Sequence, residues 1–241
     1  MHRPTLAVAG ADGAPGGWVV ATQFGNRRPT IDFVDTLAPY VSRLKRGELA
    51  ALGVDIPIGL PGDGDRSADR LARERLGPRR STFFPTPVRA ILQASTWEEA
   101  SALGREAAGV GLSKQAWNLV PKIRHVDELW TPTVADTLVE VHPEVTFAEM
   151  AGGPVLTKKS DPQGMHDRCR LLARHLCLPG LANTWRDEFI DRLLDSVPRR
   201  IRVDAVDALA VLWSARRLAH QRAIRLGGEL DPAGRPMALT I

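Results

Sequence analysis

The sequence predicts an α/β fold, and three observations carry that prediction. Short runs rich in β-forming residues follow one another at the start of the chain, a buried-type strand comes after the first helical segment, and a long helix near the end is apolar almost all round. The first run, Leu6-Ala7-Val8-Ala9-Gly10-Ala11, ends at Asp12 and is broken by Gly13-Ala14-Pro15-Gly16-Gly17; Trp18-Val19-Val20-Ala21-Thr22 then resumes with β-formers, which predicts an antiparallel hairpin. Thr30-Ile31-Asp32-Phe33-Val34 offers a third strand. Leu37, Val41 and Leu44 fall at helical spacing, and Ala50-Ala51-Leu52-Gly53-Val54 reads as a buried strand that stops at Asp55. The order is therefore β-β-β-α-β.

From Pro57 to about Pro132 the composition shifts to Pro, Gly and Arg, and apolar periodicity weakens. Ser67 to Leu76 is expected as a short polar helix, and Phe83-Phe84-Pro85-Thr86-Pro87 as extended chain, because residues before proline avoid the helical region. A structureless loop of this length is rare in a compact domain, so the segment at about 60–135 is expected to be an insertion with helices of its own. Thr137 to His142 alternates as a strand, with Leu138, Glu140 and His142 on one face and Val139 and Val141 on the other. Helices are expected at about 144–151, 164–178, 184–195 and 203–222, and a final strand at 237–241.

Bulk properties fit one domain. The 241 residues are 44% hydrophobic and 25% charged, enough to bury a full core. No apolar run reaches membrane-spanning length, and a strand-like segment begins too early to leave room for a secretory signal, so a cytoplasmic protein with no membrane association is expected. The two cysteines, Cys169 and Cys177, lie about 12 Å apart along one predicted helix, too far for a disulfide, and are expected as buried small apolar residues. The net charge of +4 comes mainly from arginine and favours a phosphate-bearing partner without proving one.

Four acidic signatures stand out: Ala11-Asp12-Gly13, Val54-Asp55-Ile56-Pro57, Val139-Glu140-Val141-His142-Pro143-Glu144 and Val203-Asp204-Ala205-Val206-Asp207. A carboxylate among β-branched apolar residues is costly to bury unless a positive group meets it. Several drawn from distant parts of one chain suggest a shared divalent cation. On the last helix, Asp204 and Asp207 continue the line of Ala208, Val211, Ala215 and Leu218 and so point inward. Two readings of that pair stay open: metal ligands, or an N-cap with its third helical residue.

The residues just quoted, together with Gly16-Gly17-Trp18, Asp55-Ile56-Pro57-Ile58-Gly59-Leu60-Pro61, Gly77-Pro78-Arg79-Arg80-Ser81, Phe84-Pro85-Thr86-Pro87, Gly111-Leu112-Ser113, Gln115-Ala116-Trp117, Pro121-Lys122-Ile123 and Asp207-Ala208-Leu209, resemble the pattern of domain of unknown function 429. Members of that family are regarded as predicted nucleases of RNase H-like fold. The resemblance spans nearly the whole chain and implies a mixed sheet, a three-strand meander followed by parallel strands, flanked by helices. It also implies that an acid on the first strand, one at the end of the fourth and acids on the last helix converge, which matches Asp12, Asp55, Asp204 and Asp207. One departure is Ala14, where relatives often carry cysteine.

The expected activity is divalent-metal-dependent hydrolysis of nucleic-acid phosphodiesters. Asp12, Asp55 and Asp207 are the candidate ligands of Mg²⁺ or Mn²⁺, with Asp204 and Glu140 as further catalytic acids and His142 and Glu144 in support. Such ions take hard oxygen ligands, and a pair about 4 Å apart can clamp the attacking and leaving oxygens of a phosphodiester. Arg79, Arg80, Lys114, Lys122, Lys158 and Lys159 are candidate phosphate contacts, although charge runs are usually solvated faces. Glu140 has an alternative as the partner of an arginine. Trp117 and Phe84 fit core packing better than base stacking. Gly10-x-x-Gly13-x-x-Gly16 leads into a strand, so it is a weak phosphate-loop signal, and no Gly-x-Ser-x-Gly elbow supports an acyl hydrolase. Two rivals are a non-catalytic binding module and a nucleotide phosphohydrolase or phosphotransferase of a related duplicated fold, which a sheet of five or six strands would disfavour.

Overall fold

The computed structural model describes residues 6–176 and 183–241. One seven-stranded sheet organises them, in the order β3-β2-β1-β4-β5-β7-β6. Strands β1 (Ala7–Ala14), β2 (Gly17–Phe24) and β3 (Thr30–Val34) form an antiparallel meander, as the alternating β-formers predict. The β1–β2 turn needs a left-handed residue, and Gly16 supplies it at φ 81. Helix α1 (Ala38–Lys45) returns the chain to β4 (Leu49–Val54), which pairs parallel to β1. Strand β5 (Leu138–Glu140) pairs parallel to β4, and β7 (Pro236–Thr240) parallel to β5. This mixed sheet with helices on both faces is consistent with the RNase H-like fold.

Strand β6 (Arg225–Leu230) was not expected. It is an edge strand paired antiparallel to β7, with a bulge between Gly227 and Glu229 and mostly exposed residues, so it carries no apolar alternation to read. With it the sheet of the described residues has seven strands, one more than the six read from the sequence and outside the five or six that would disfavour the duplicated fold. Among the described residues the β-β-β-α-β unit occurs once.

Between β4 and β5 the chain forms α2 (Ser67–Leu76), α3 (Trp97–Ala108) and α4 (Lys114–Leu129), joined by 3₁₀ turns and the extended stretch after Phe83. Thr96 and Ser113 start α3 and α4 by accepting the backbone N–H of Glu99 and Ala116, the usual work of N-cap hydroxyls. On the other side of β5 follow α5 (Pro143–Ala151), α6 (Pro162–Leu176), α7 (Asn183–Asp195) and α8 (Arg202–Ala219). The helix expected at 164–178 is α6, whose last two expected positions, Cys177 among them, lie outside the described residues. Cys169 is a buried free thiol.

The sheet separates two cores. One face packs Val8, Val19 and Ala21 against α8 with α2, α5, α6 and α7 outside it; the other packs Ala9, Ala11, Leu52, Val54 and Leu138 against α1 and α4. Every residue of α8 from Ala205 to Ala215 is buried. Its backbone lies directly on the sheet, because β1 and β4 present glycine there: a methyl group at Gly10 would fall 2.1 Å from the Leu212 nitrogen, and one at Gly53 2.8 Å from Val211. That close approach positions the site.

Candidate metal centre

Parallel pairing of β1 and β4 brings the first two acids together. Ala11 pairs with Val54, and the Asp55 N–H donates to the Ala11 carbonyl at 2.9 Å, so Asp12 and Asp55 stand side by side where these strands end. Alternation turns Ala11 and Val54 into the α1/α4 core and therefore Asp12 and Asp55 toward α8. Two strand residues from Gly10 to Asp12 cover about 6.6 Å, and five helical residues from Leu212 back to Asp207 about 7.5 Å. Asp207 consequently comes level with Asp12.

The electrostatics record this meeting. Burial raises the Asp12 carboxyl well above its ordinary range, and Asp55, Asp207 and Asp204 push it further while Lys159 opposes them. Asp55 is raised by burial and by Asp207, with Lys159 again opposing. Asp207 is raised by burial against the pull of Lys159. Asp204 is raised by burial, also against Lys159, and sits half-buried at the start of α8. The three acids Asp12, Asp55 and Asp207 are thus crowded and short of positive charge.

Helix capping does not explain the pair on α8. The N-cap is Ile201, no side chain caps the helix, and Asp207 lies beyond its first turn. Asp207 is 2% exposed; its Oδ2 accepts from Lys159 Nζ at 2.6 Å, and its Oδ1 is buried without a hydrogen-bond partner. Lys159, expected as a phosphate contact, is here the counter-ion of the acidic centre.

The other acids have partners of their own. Glu140 sits on the Leu138 face of β5, where Arg66 Nη1 and Nη2 donate to its two oxygens at 2.7 Å each and Ile58 N–H adds a third bond at 2.8 Å. Its carboxyl is nonetheless raised by burial. Asp69 completes that cluster at 2.6 Å from Arg66. Glu144 receives Arg168 Nη2 at 2.6 Å and Nε at 3.0 Å. Both glutamates therefore take the arginine-paired arrangement. Neither Arg66 nor Arg168 was singled out from sequence: one lies in a turn-rich stretch and the other on an amphipathic helix, and no local pattern announces a partner 74 or 24 residues away.

A cavity of about 550 Å³ opens over the centre, lined by Asp12, Asp55, Glu140, His142, Glu144 and Lys159 on one side and by Arg79, Phe84 and Pro85 on the other. His142 stacks on Phe83 with ring centroids 4.7 Å apart, and its Nδ1 is buried without a partner. Burial and the nearby Lys159 lower it to about 3, so it is uncharged at neutral pH. Phe84 is 54% exposed at the lip, whereas Trp117 packs in a small apolar cluster of the 60–135 segment.

The basic candidates disperse. Arg79 lines the cavity, while Arg80 faces a separate hollow with Arg66, Arg70 and Arg73. Lys122 bonds the Gly17 carbonyl, lies 4.5 Å over the Trp18 ring and is lowered by burial, with Asp12 opposing. Lys114 lies over Trp97 at 5.2 Å, and Lys158 is exposed. Gly10 and Gly13 lie inside β1, so the glycine repeat forms no phosphate loop.

Hard oxygen donors and the unpartnered Asp207 Oδ1 suit a divalent cation in chemistry. The present spacing does not yet suit it: among the described residues no three His, Cys, Asp or Glu side chains are gathered to hold an ion. The Lys159 ammonium bonds one of them, Asp207.

Fold and acids together define an RNase H-like α/β protein with an under-neutralised acidic centre at the ends of β1 and β4. The chain belongs to the family described as Protein of unknown function (DUF429), whose model matches residues 10–231. No curated protein and no solved structure matches it significantly. No helix among the described residues is long and apolar enough to cross a membrane.

Proposed function

We propose that this protein is a divalent-metal-dependent nuclease that hydrolyses phosphodiester bonds in nucleic acid. One observation carries the reading: Asp12 and Asp55 line one open cavity, and Asp207, buried beside them on a third element, is raised with them although it is bonded to the half-exposed Lys159. The other buried carboxylates among the described residues, Asp69, Glu140, Glu144 and Asp231, are matched to arginines, and acids left in excess at a cavity are the mark of a site completed by something positive. Asp12, Asp55 and Asp207 would hold Mg²⁺ or Mn²⁺, and such ions would neutralise charge developing on a phosphoryl group. Asp204, half-buried one helical turn before Asp207, adds negative potential, and neutral His142 offers an unprotonated ring nitrogen to water or substrate. Arg79 and Phe84 on the opposite wall suit a phosphate and a base.

The Lys159–Asp207 pair favours a second reading, a non-catalytic binding module in which lysine is the permanent counter-ion. The two are separated by assay. The purified chain with Mg²⁺ or Mn²⁺ should cleave some member of a panel of single-stranded, hybrid, flapped and junction substrates, and Asp12→Asn or Asp207→Asn should abolish cleavage in a protein that still folds. Uniform inactivity, with no metal binding by calorimetry, would leave the binding module.

A further inference from the structure

We propose that Lys159 is a displaceable stand-in for the cation: its ammonium and a divalent ion compete for Asp207, and the lysine turns out of the centre when the ion enters. This rests on the metal-dependent reading above and adds a regulatory step to it.

The argument starts from the loop that carries the lysine. Lys159 lies between α5 and α6, and its neighbours are held firmly. Arg168 Nη2, already bound to Glu144, donates to the Thr157 carbonyl at 3.1 Å. Thr157 Oγ1 donates to Asp167 at 2.9 Å, and the Asp161 N–H to the Lys158 carbonyl at 3.0 Å. Gly164 seats the loop so closely that an added methyl would fall 1.9 Å from the Lys158 oxygen. The backbone is therefore fixed while the side chain remains 47% exposed, with water on one side and Asp207 on the other. A rotation about side-chain bonds alone can move the ammonium, and exposed side chains change rotamer in picoseconds to nanoseconds.

The destination is equally well defined. Asp207 is buried, binds the lysine through Oδ2 only and leaves Oδ1 without a partner. The ammonium bonds Asp207 alone, whereas a small divalent ion of higher charge can take oxygens from Asp12, Asp55 and Asp207 together. With the lysine gone, three carboxylates remain uncompensated, which is a strong drive to take up an ion. With the lysine in place, the centre stays tolerably neutral during folding.

The test titrates Mn²⁺ by calorimetry into the parent chain, Lys159→Gln and Lys159→Arg. Removing the competitor should tighten Mn²⁺ binding by about tenfold or more, a change of about 1.4 kcal/mol per decade, while arginine should leave it as weak as in the parent or weaker. Asp207→Asn should abolish the difference between parent and Lys159→Gln. If the glutamine variant is unstable alone, melting with and without Mn²⁺ substitutes for the titration: a larger ion-induced gain in the variant than in the parent supports displacement, and an equal gain overturns it. Equal affinities of parent and Lys159→Gln would sink the competition and leave the metal reading standing, whereas no Mn²⁺ binding by any of them would sink both.

Discussion

Two clusters of buried carboxylates lie within one fold and are solved in opposite ways. Around β5, Arg66 serves Glu140 and Asp69 and Arg168 serves Glu144, each guanidinium fully buried and bonded at 2.6–3.0 Å. Around the ends of β1 and β4, one half-exposed lysine bonds Asp207 alone, while Asp12 and Asp55 feel its charge without an ion pair of their own among the described residues. The planar fork of arginine locks a carboxylate bidentately, while lysine is a point charge on a flexible stem. The first arrangement is a permanent joint, tying the 60–135 segment to the sheet through Arg66 and α6 to α5 through Arg168. The second can be opened.

The largest expected effect would break the first cluster. Arg66→Ala leaves Glu140 and Asp69 buried without their partner and should cost about 3–5 kcal/mol, read as a lowered denaturation midpoint. Lys159→Gln should cost less, because Lys159 is half-exposed and bonds one acid, whereas Arg66 is fully buried and bonds two. Equal losses would mean that the two clusters are the same kind of structural joint.

Next comes Asp12→Asn, measured without metal. A carboxyl whose folded value lies above its unfolded one, ~3.9, favours the folded state when protonated, so its ionised form detracts from stability above the folded value. The deficit disappears as pH falls through that raised value toward ~3.9. Asparagine mimics the protonated form. The variant should therefore be more stable than the parent at neutral pH, by about 1–2 kcal/mol, and the advantage should vanish near pH 4. An advantage that persists or grows on acidification contradicts the crowding of Asp12.

His142 acts with the opposite sign. Lowered to about 3 in the fold and ~6.5 unfolded, it contributes stability above the unfolded value that is lost as pH falls from there toward the folded one. His142→Gln should flatten this part of the pH–stability curve, and an unchanged slope would place the ring in solvent. The smallest effect concerns binding. Arg79→Ala should reduce the salt dependence of nucleic-acid affinity by about one phosphate contact, roughly 0.7–0.9 in the log–log slope, and Arg80→Ala, on another surface, should leave it unchanged.

Patterning is legible where it is local. The meander, α1 and β4 follow from runs of β-formers and helical spacing, and the burial of α8 follows from its composition, because a helix apolar on every side has nowhere to sit but the core. β6 was not legible, since an exposed glycine-bearing edge strand has no periodicity to read. The site divides in the same manner. Sequence by itself marked Asp12, Asp55, Glu140, His142, Glu144, Asp204 and Asp207 as acids or bases where burial is costly, because an ionisable residue beside β-branched neighbours is visible in one dimension.

Only the tertiary structure decided which of them share a charge and which are already matched. Arg66 reaches Glu140 across 74 residues and Lys159 reaches Asp207 across 48; such partners are chosen by register and by the approach of α8 to Gly10, not by spacing along the chain. Pairing energies fall off within a few ångströms, so a carboxylate's role depends on its neighbours in space, and a sequence orders only neighbours in the chain.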